Sequence, residues 1–359
     1  MLYNVTRGGK MESIMWKYID ETEAVLKLIL NDLTATNIYK EIDFEIKEVN
    51  IVGSGSSYNA GLNAQVVFND ILNINTNVYT PAKYMMVKNF NKDSLNIFIS
   101  QTGTSKSSID ALNHASQKEL KSLALSANHK DGIVLLADYF VNLNCGEEKS
   151  NAKTKGYSAT IYSLLNLLLS ISNLIEADKD KINILTKELQ EIINKVNKIK
   201  ESAIKFVESN KNLAAATDMM LVASNESVGS LNELSLKLSE TMLIPVTFTE
   251  GLEFSHGLHR TVNFNSNLLF LLGEGVGKEE VKIAYEYFKD IAKNVVLINN
   301  TSDRYNKSDE IVLSGFKYLY SIEQALVIQV FAVYLPEIIG NDPNVDVFFD
   351  FVLKSKTRI

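Results

Sequence analysis

Apolar positions along this chain follow two periods in turn, one close to 3.6 residues and one of short continuous runs. Residues 21–31 carry helical spacing. Strand-length apolar runs then occupy 49–52, 77–80, 95–99, 122–125 and 139–143. Between and after them, helical spacing predicts helices over 58–69, 105–116 and, almost wholly apolar, 157–175. Strands alternating with helices on this scale predict an α/β fold, a parallel sheet with helices on both faces. Residues 179–210 mix Lys and Glu with regular Ile, Leu and Val positions and predict a connecting pair of amphipathic helices. The pattern then restarts, with strands over 219–222, 244–248, 267–272 and 294–298 and helices over 231–242, 278–292 and 322–335. Ile51-Val52-Gly53-Ser54 overlays Leu221-Val222-Ala223-Ser224, and Ile97-Phe98-Ile99 overlays Leu269-Phe270-Leu271 at a nearly constant offset, a weak internal duplication. The expected organisation is a helical segment over 1–45, a first α/β domain over 46–178, connecting helices over 179–210, a second domain over 211–340 and a tail over 341–359.

With 359 residues, 46% of them hydrophobic, the chain can bury a large core in two domains. The net charge of −7 and the lack of a basic stripe exclude a nucleic-acid footprint. The apolar run over 161–175 is broken by Ser and Asn and is too short to span a bilayer, so no membrane partner is expected. Nothing near the start has the layout of a signal peptide, and a cytoplasmic protein is expected; residues 1–10, mostly polar and ahead of Met11, read as a disordered leader or an upstream start. Cys145 is the single cysteine, which excludes an intrachain disulfide and a cysteine-rich metal site; no metal or cofactor is expected.

Candidate chemistry lies where strands end. The run 97–99 leads into Ser100-Gln101-Thr102-Gly103-Thr104-Ser105, and the run 49–52 into Gly53-Ser54-Gly55-Ser56-Ser57. Short neutral donors and free backbone N–H groups at a helix N-terminus suit a dianionic phosphate. One such turn alone is more often an ordinary N-cap; the pair favours a phosphate-ester pocket at a sheet edge. In the second half the equivalent turn is Leu272-Gly273-Glu274-Gly275-Val276-Gly277, which has lost its hydroxyls, so the first half alone is expected to hold phosphate. Glu233 and Glu240, seven residues apart, share a helix face, where the ordinary reading is a solvated surface. His256, between Glu253 and Gly257, is a possible acid or base near neutrality. Lys354 lies in a basic tail that would ordinarily be a frayed end, and folded back it can pair with a sugar phosphate or form a Schiff base.

Together these segments resemble the tandem sugar isomerase (SIS) family, most closely the isomerase portion of glucosamine-6-phosphate synthase and the stand-alone fructosamine-6-phosphate deglycases. Gly55-Ser56-Ser57-Tyr58-Asn59-Ala60, Ser100-Gln101-Thr102-Gly103-Thr104-Ser105, Ala152-Lys153-Thr154-Lys155-Gly156-Tyr157, Leu236-Lys237-Leu238-Ser239-Glu240, Glu253-Phe254-Ser255-His256-Gly257 and Lys354-Ser355-Lys356-Thr357 resemble family motifs and fall in the family's order. Lys153, Ser255 and Leu258 depart from the pattern, standing where it has Ser, Lys and Pro.

The resemblance implies two SIS domains, each a flavodoxin-like five-stranded parallel sheet. It implies a 6-phosphate held by Ser57, Ser100, Gln101, Thr102 and Ser105, with Gly55, Ser56, Glu148, Thr154 and Glu233 lining the substrate site. Glu240 would move a proton between C1 and C2 of an open-chain sugar, His256 would open the ring, and Lys354 would close over the sugar. A homodimer is implied, with His256 reaching the neighbouring subunit's site. The expected activity is that of an amino-sugar or fructosamine 6-phosphate deaminase or deglycase, without a glutaminase domain. The alternatives are a ketose/aldose phosphate isomerase and a phosphosugar-binding regulator.

Overall fold

The computed structural model describes residues 5–7, 10–130, 132–305 and 308–355. The chain divides into two units. The first comprises Glu21–Lys149, Lys155–Ile193 and Asp346–Ile359; the second comprises Met1–Asp20, Ser150–Thr154 and Asn194–Val345. The helix pair expected between the halves is thus shared, one helix going to each unit.

In the first unit five parallel strands, β1 (Glu48–Val52), β2 (Asn75–Tyr79), β3 (Ser94–Ile99), β4 (Ser122–Ser126) and β5 (Tyr139–Asn142), pair in the order β2-β1-β3-β4-β5. This is the flavodoxin-like order that the resemblance implies. Strands β3 and β4 are buried along their whole length, as expected of a sheet covered on both faces. Helices α1 (Thr22–Leu30), α2 (Ser56–Ile71), α3 (Lys106–Gln117), α4 (Lys155–Ile171) and α5 (Lys179–Ile193) flank it. Helix α4 is apolar nearly all round and accordingly buried on every side. Its Tyr157 hydroxyl accepts from Asn63 of α2 at 2.8 Å, and its Tyr162 hydroxyl donates to the Leu189 carbonyl of α5 at 2.7 Å.

A parallel sheet this apolar can slip in register unless a polar group fixes it. Asn50 lies opposite both Asn77 and Asn96, and the amides join across the three strands at 3.1 Å each, with the Tyr84 hydroxyl donating to Asn96 Oδ1 at 2.8 Å. Sliding any of these strands by one residue would bury an unpaired amide.

The second unit repeats the plan. Strands β6 (Met219–Ala223), β7 (Val246–Glu250), β8 (Asn267–Leu272), β9 (Asn294–Asn299) and β10 (Glu310–Val312) are parallel and pair as β7-β6-β8-β9-β10. Here too an asparagine pair in register, Asn294 to Asn267 at 2.6 Å, crosses the strands. Helices α6 (Val196–Ser209), α7 (Val228–Thr241), α8 (Lys278–Phe288) and α9 (Tyr320–Ile338) flank this sheet. Helix α9 is long and apolar enough to cross a membrane by length and composition alone, but it is a buried core helix, its Phe331 stacked on Phe206 of α6.

Candidate active site

In a doubly wound sheet, ligands bind beyond the carboxyl ends of the strands where the strand order reverses. In the first unit that point lies between β1 and β3, and the two hydroxyl-rich turns follow those two strands. The turns meet: the Ser54 and Ser107 hydroxyls hydrogen-bond at 3.3 Å, and Ser107 bonds onward to Ser105 at 3.3 Å. Ser100, buried at the base, accepts from the Ser105 N–H at 3.4 Å; above it the Thr102 and Thr104 hydroxyls pair at 3.0 Å. Gly55 precedes α2, with Ser56 and Ser57 in its first turn, and Ser105 precedes α3. Neither helix has an acidic residue in its first turn, so both positive helix ends stay uncompensated by side chains there. Lys106, the first residue of α3, is paired with Asp110 at 2.6 Å. Ser107, the second residue of α3, also belongs to this cluster.

Behind the turn, Gln101 leaves the hydroxyl cluster. Its amide Nε2 donates to Glu148 Oε2 at 3.2 Å and lies 3.7 Å from Cys145 Sγ. The Glu148 carboxylate also accepts the Gly156 N–H at the start of α4, at 3.2 Å. Gly156 makes room for this side chain: a Cβ there would stand 2.4 Å from Gln101 Nε2 and would displace the amide. Cys145 is enclosed, and burial, then the charge of Glu148, pushes its thiol up to about 11. Next to this, Lys155 is buried and paired with Glu21 at 2.6 Å.

In the second unit, α7 carries the carboxylates. Glu233 is fully buried, not solvated, and Lys237 beside it is 1% exposed. The Lys237 ammonium lies 3.5 Å from Glu233 Oε1 and 2.5 Å from Glu240 Oε2. Spacings of four and three residues put all three side chains on one helix face. Glu240 is about one-third exposed, and its Oε1 has no hydrogen-bond partner among the described residues. Lys237 is not among the residues expected at the site; its spacing to both glutamates is the signal in the sequence that marks it. Thr154, buried, belongs to this unit, and its carbonyl accepts from Gln329 at 3.0 Å. His256 is exposed in the turn after Gly251–Phe254, with no side-chain partner among the described residues. His259 is placed differently, its Nδ1 against the Phe254 carbonyl at 3.2 Å and its ring edge-on to Phe254.

Lys354, assigned to the first unit, lies on the short helix Phe349–Ser355, exposed and 3.3 Å from Asp350. Lys356 and Thr357 of the same motif lie outside the described residues.

Residues 44–170, which hold both hydroxyl turns and Glu148, match the family described as the SIS domain. This segment is an SIS domain. Among curated relatives, the chain is 22% identical over 362 residues to the isomerizing glutamine–fructose-6-phosphate aminotransferase of Wigglesworthia glossinidia brevipalpis, covering 96% of this chain and 58% of that one. The enzyme of the same name from Fusobacterium nucleatum is 28% identical over 218 residues, covering 58% of this chain and 35% of that one. The chain thus spans little more than half the length of the first of these relatives, and the match to the second covers about a third of it. Among solved structures, a candidate phosphosugar isomerase of Clostridium difficile 630 superposes with a TM-score of 0.85 at 26% identity, covering 96% of this chain and 99% of that one. The C-terminal domain of the glucosamine-fructose-6-phosphate aminotransferase of Francisella tularensis superposes with a TM-score of 0.83 at 19% identity, covering 95% and 100%. Both five-stranded parallel sheets thus share the fold of these structures.

Proposed function

We propose that this protein is a phosphosugar enzyme that moves a proton between C1 and C2 of a 6-phosphorylated amino sugar or fructosamine and releases the amine. The observation that carries the reading is the Glu233–Lys237–Glu240 arrangement, in which a buried ammonium holds one oxygen of a carboxylate about one-third exposed and leaves the other without a donor among the described residues. An oriented carboxylate with one free oxygen is a fit base for an acidic C–H. Burying a lysine beside two glutamates gains a helix little stability, because desolvation makes such clusters poor stabilisers.

In the proposed reaction Ser57, Ser100, Thr102 and Ser105 receive the 6-phosphate on hydroxyls and helix N-terminal N–H groups. Gln101, held back by Glu148, adjoins them. Glu240 takes the proton from C1 of a fructosamine 6-phosphate and returns it at C2, converting the keto-amine into an aldose imine. Water then adds to the imine and the amine leaves, giving a hexose 6-phosphate. With an amino group on C2 the same transfer runs from C2 to C1, and hydrolysis releases ammonia. His256, exposed in a single chain, is proposed to open the sugar ring in a neighbouring subunit's site, and Lys354 to close over the sugar. The names of two kinds of solved relative, phosphosugar isomerase and the glucosamine-6-phosphate deaminase of Thermotoga maritima, agree with this substrate class.

The test is to incubate the protein with a panel of 6-phosphorylated amino sugars and fructosamines and assay free amine and hexose 6-phosphate. Release of both supports the reading. Ketose–aldose interconversion with no amine released would replace it with a plain isomerase, and binding without turnover would replace it with a phosphosugar sensor. On the substrate found, Thr102→Val should raise KM about tenfold or more, since a hydrogen bond to a charged group contributes roughly 1.5–3 kcal/mol. An unchanged KM would remove Thr102 from the phosphate site.

A further inference from the structure

The second sheet has its own crevice at the point where its strand order reverses, between β6 and β8, and one of the chain's own side chains fills it. The turns after these strands, 224–227 and 273–277, are by the internal duplication the counterparts of the two hydroxyl turns of the first unit. The Ser224 hydroxyl, buried, accepts the Gly273 N–H at 2.8 Å and donates to Glu226 Oε1 at 3.0 Å. The Gly275 N–H donates to the same oxygen at 3.0 Å. A Cβ at Gly273 would stand 1.8 Å from Glu226 Oε1, and one at Gly275 1.9 Å from Oε2. The two glycines thus leave the volume that the carboxylate takes. Oε2 is buried and without a hydrogen-bond partner among the described residues.

A hydroxyl and a backbone N–H converging on one oxyanion at the carboxyl edge of a parallel sheet are the donors such a fold offers to an anionic ligand. In this chain they are taken by a side chain two residues beyond the strand-proximal serine. We propose that Glu226 is a resident anion: it occupies the place at which the second sheet would otherwise hold the anionic group of a ligand, and so keeps this unit from taking a phosphate. The comparison with the first unit rests on the phosphate reading proposed above, whereas the occupied cradle does not.

The test uses the full chain carrying Ser100→Ala and Thr102→Val, so that the first unit's donors are reduced, and inorganic phosphate as the probe. In that background Glu226→Ser should raise phosphate affinity about tenfold or more, the worth of one charge-assisted hydrogen bond, and titrate to one phosphate per chain by calorimetry. Glu226→Gln, which still fills the cradle, should gain no site. A folded Glu226→Ser chain that binds phosphate no better than its parent would overturn the proposal. A second measurement is independent of binding. Gly275→Ala should lower the melting temperature of the otherwise unmodified chain, and adding Glu226→Ala should restore it. Equal losses with and without Glu226 would likewise overturn the proposal. If the unmodified chain binds phosphate and Ser100→Ala/Thr102→Val leaves that binding untouched, the first-unit reading fails while the Glu226 result stands on its own.

Discussion

Replacing Glu240 with Gln should lower kcat about a hundredfold or more while leaving ligand binding close to that of the unmodified protein, the usual contribution of a general base. The substitution keeps the side chain's length and a carbonyl oxygen for the Lys237 ammonium, which lies 2.5 Å from Oε2. What it removes is the basicity of the second oxygen, which has no donor of its own among the described residues. The loss should therefore appear in kcat and in kcat/KM together, the mark of an interaction made in the transition state. Steady-state kinetics on the panel substrate, with a separate binding titration, would check this. Near-normal turnover would take the proton transfer away from Glu240.

A second large effect is expected in stability. Lys237→Met should destabilise the protein by about 3–5 kcal/mol, the cost of taking one partner from a buried charged group. Glu233 is fully buried and would lose the ammonium that stands 3.5 Å from its Oε1. A fall in melting temperature on the order of 10 °C is expected for a unit of this size. Adding Glu233→Gln should recover a large part of it, because replacing both members of a buried pair is close to neutral. A melting temperature unaffected by Lys237→Met would show that Glu233 is compensated from elsewhere. In that case the arrangement on α7 would lose its standing as a device for holding Glu240.

The parallel strands were legible because each is a continuous apolar run ending in turn residues. Strand β1 begins one residue before the expected start, and β3 and β8 end where their hydroxyl or glycine clusters begin. Strand β10 was not legible: Glu310-Ile311-Val312 is too short to show any period. The helix Pro81–Met85 escaped for the same reason, although Thr80 caps it and proline opens it. The site divides along similar lines. Hydroxyl turns after strands announce themselves locally, whereas the bond from Ser54 to Ser107 joins residues fifty positions apart and only the folded sheet brings them together. Lys237 had the right spacing in plain view, but spacing does not tell which helix face turns inward, and burial is what makes that lysine unusual. Glu226 looked like any polar residue entering a helix, because the glycines that make room for it come 47 and 49 positions later.

The lone cysteine has a practical consequence. Cys145 is enclosed against Gln101, and its thiol is pushed up to about 11, so at neutral pH it is both hidden and almost wholly protonated. A thiol reagent can reach it only when the segment around Gln101 and Glu148 swings open or the unit unfolds. With no other cysteine in the chain to compete, the rate of modification is a direct clock for that opening. Ligand that closes the neighbouring turn should slow the clock, and Gly156→Ala, which crowds Gln101, should quicken it. The unmodified protein thus carries its own reporter, one atom beside the proposed phosphate turn, that measures occupancy without turnover.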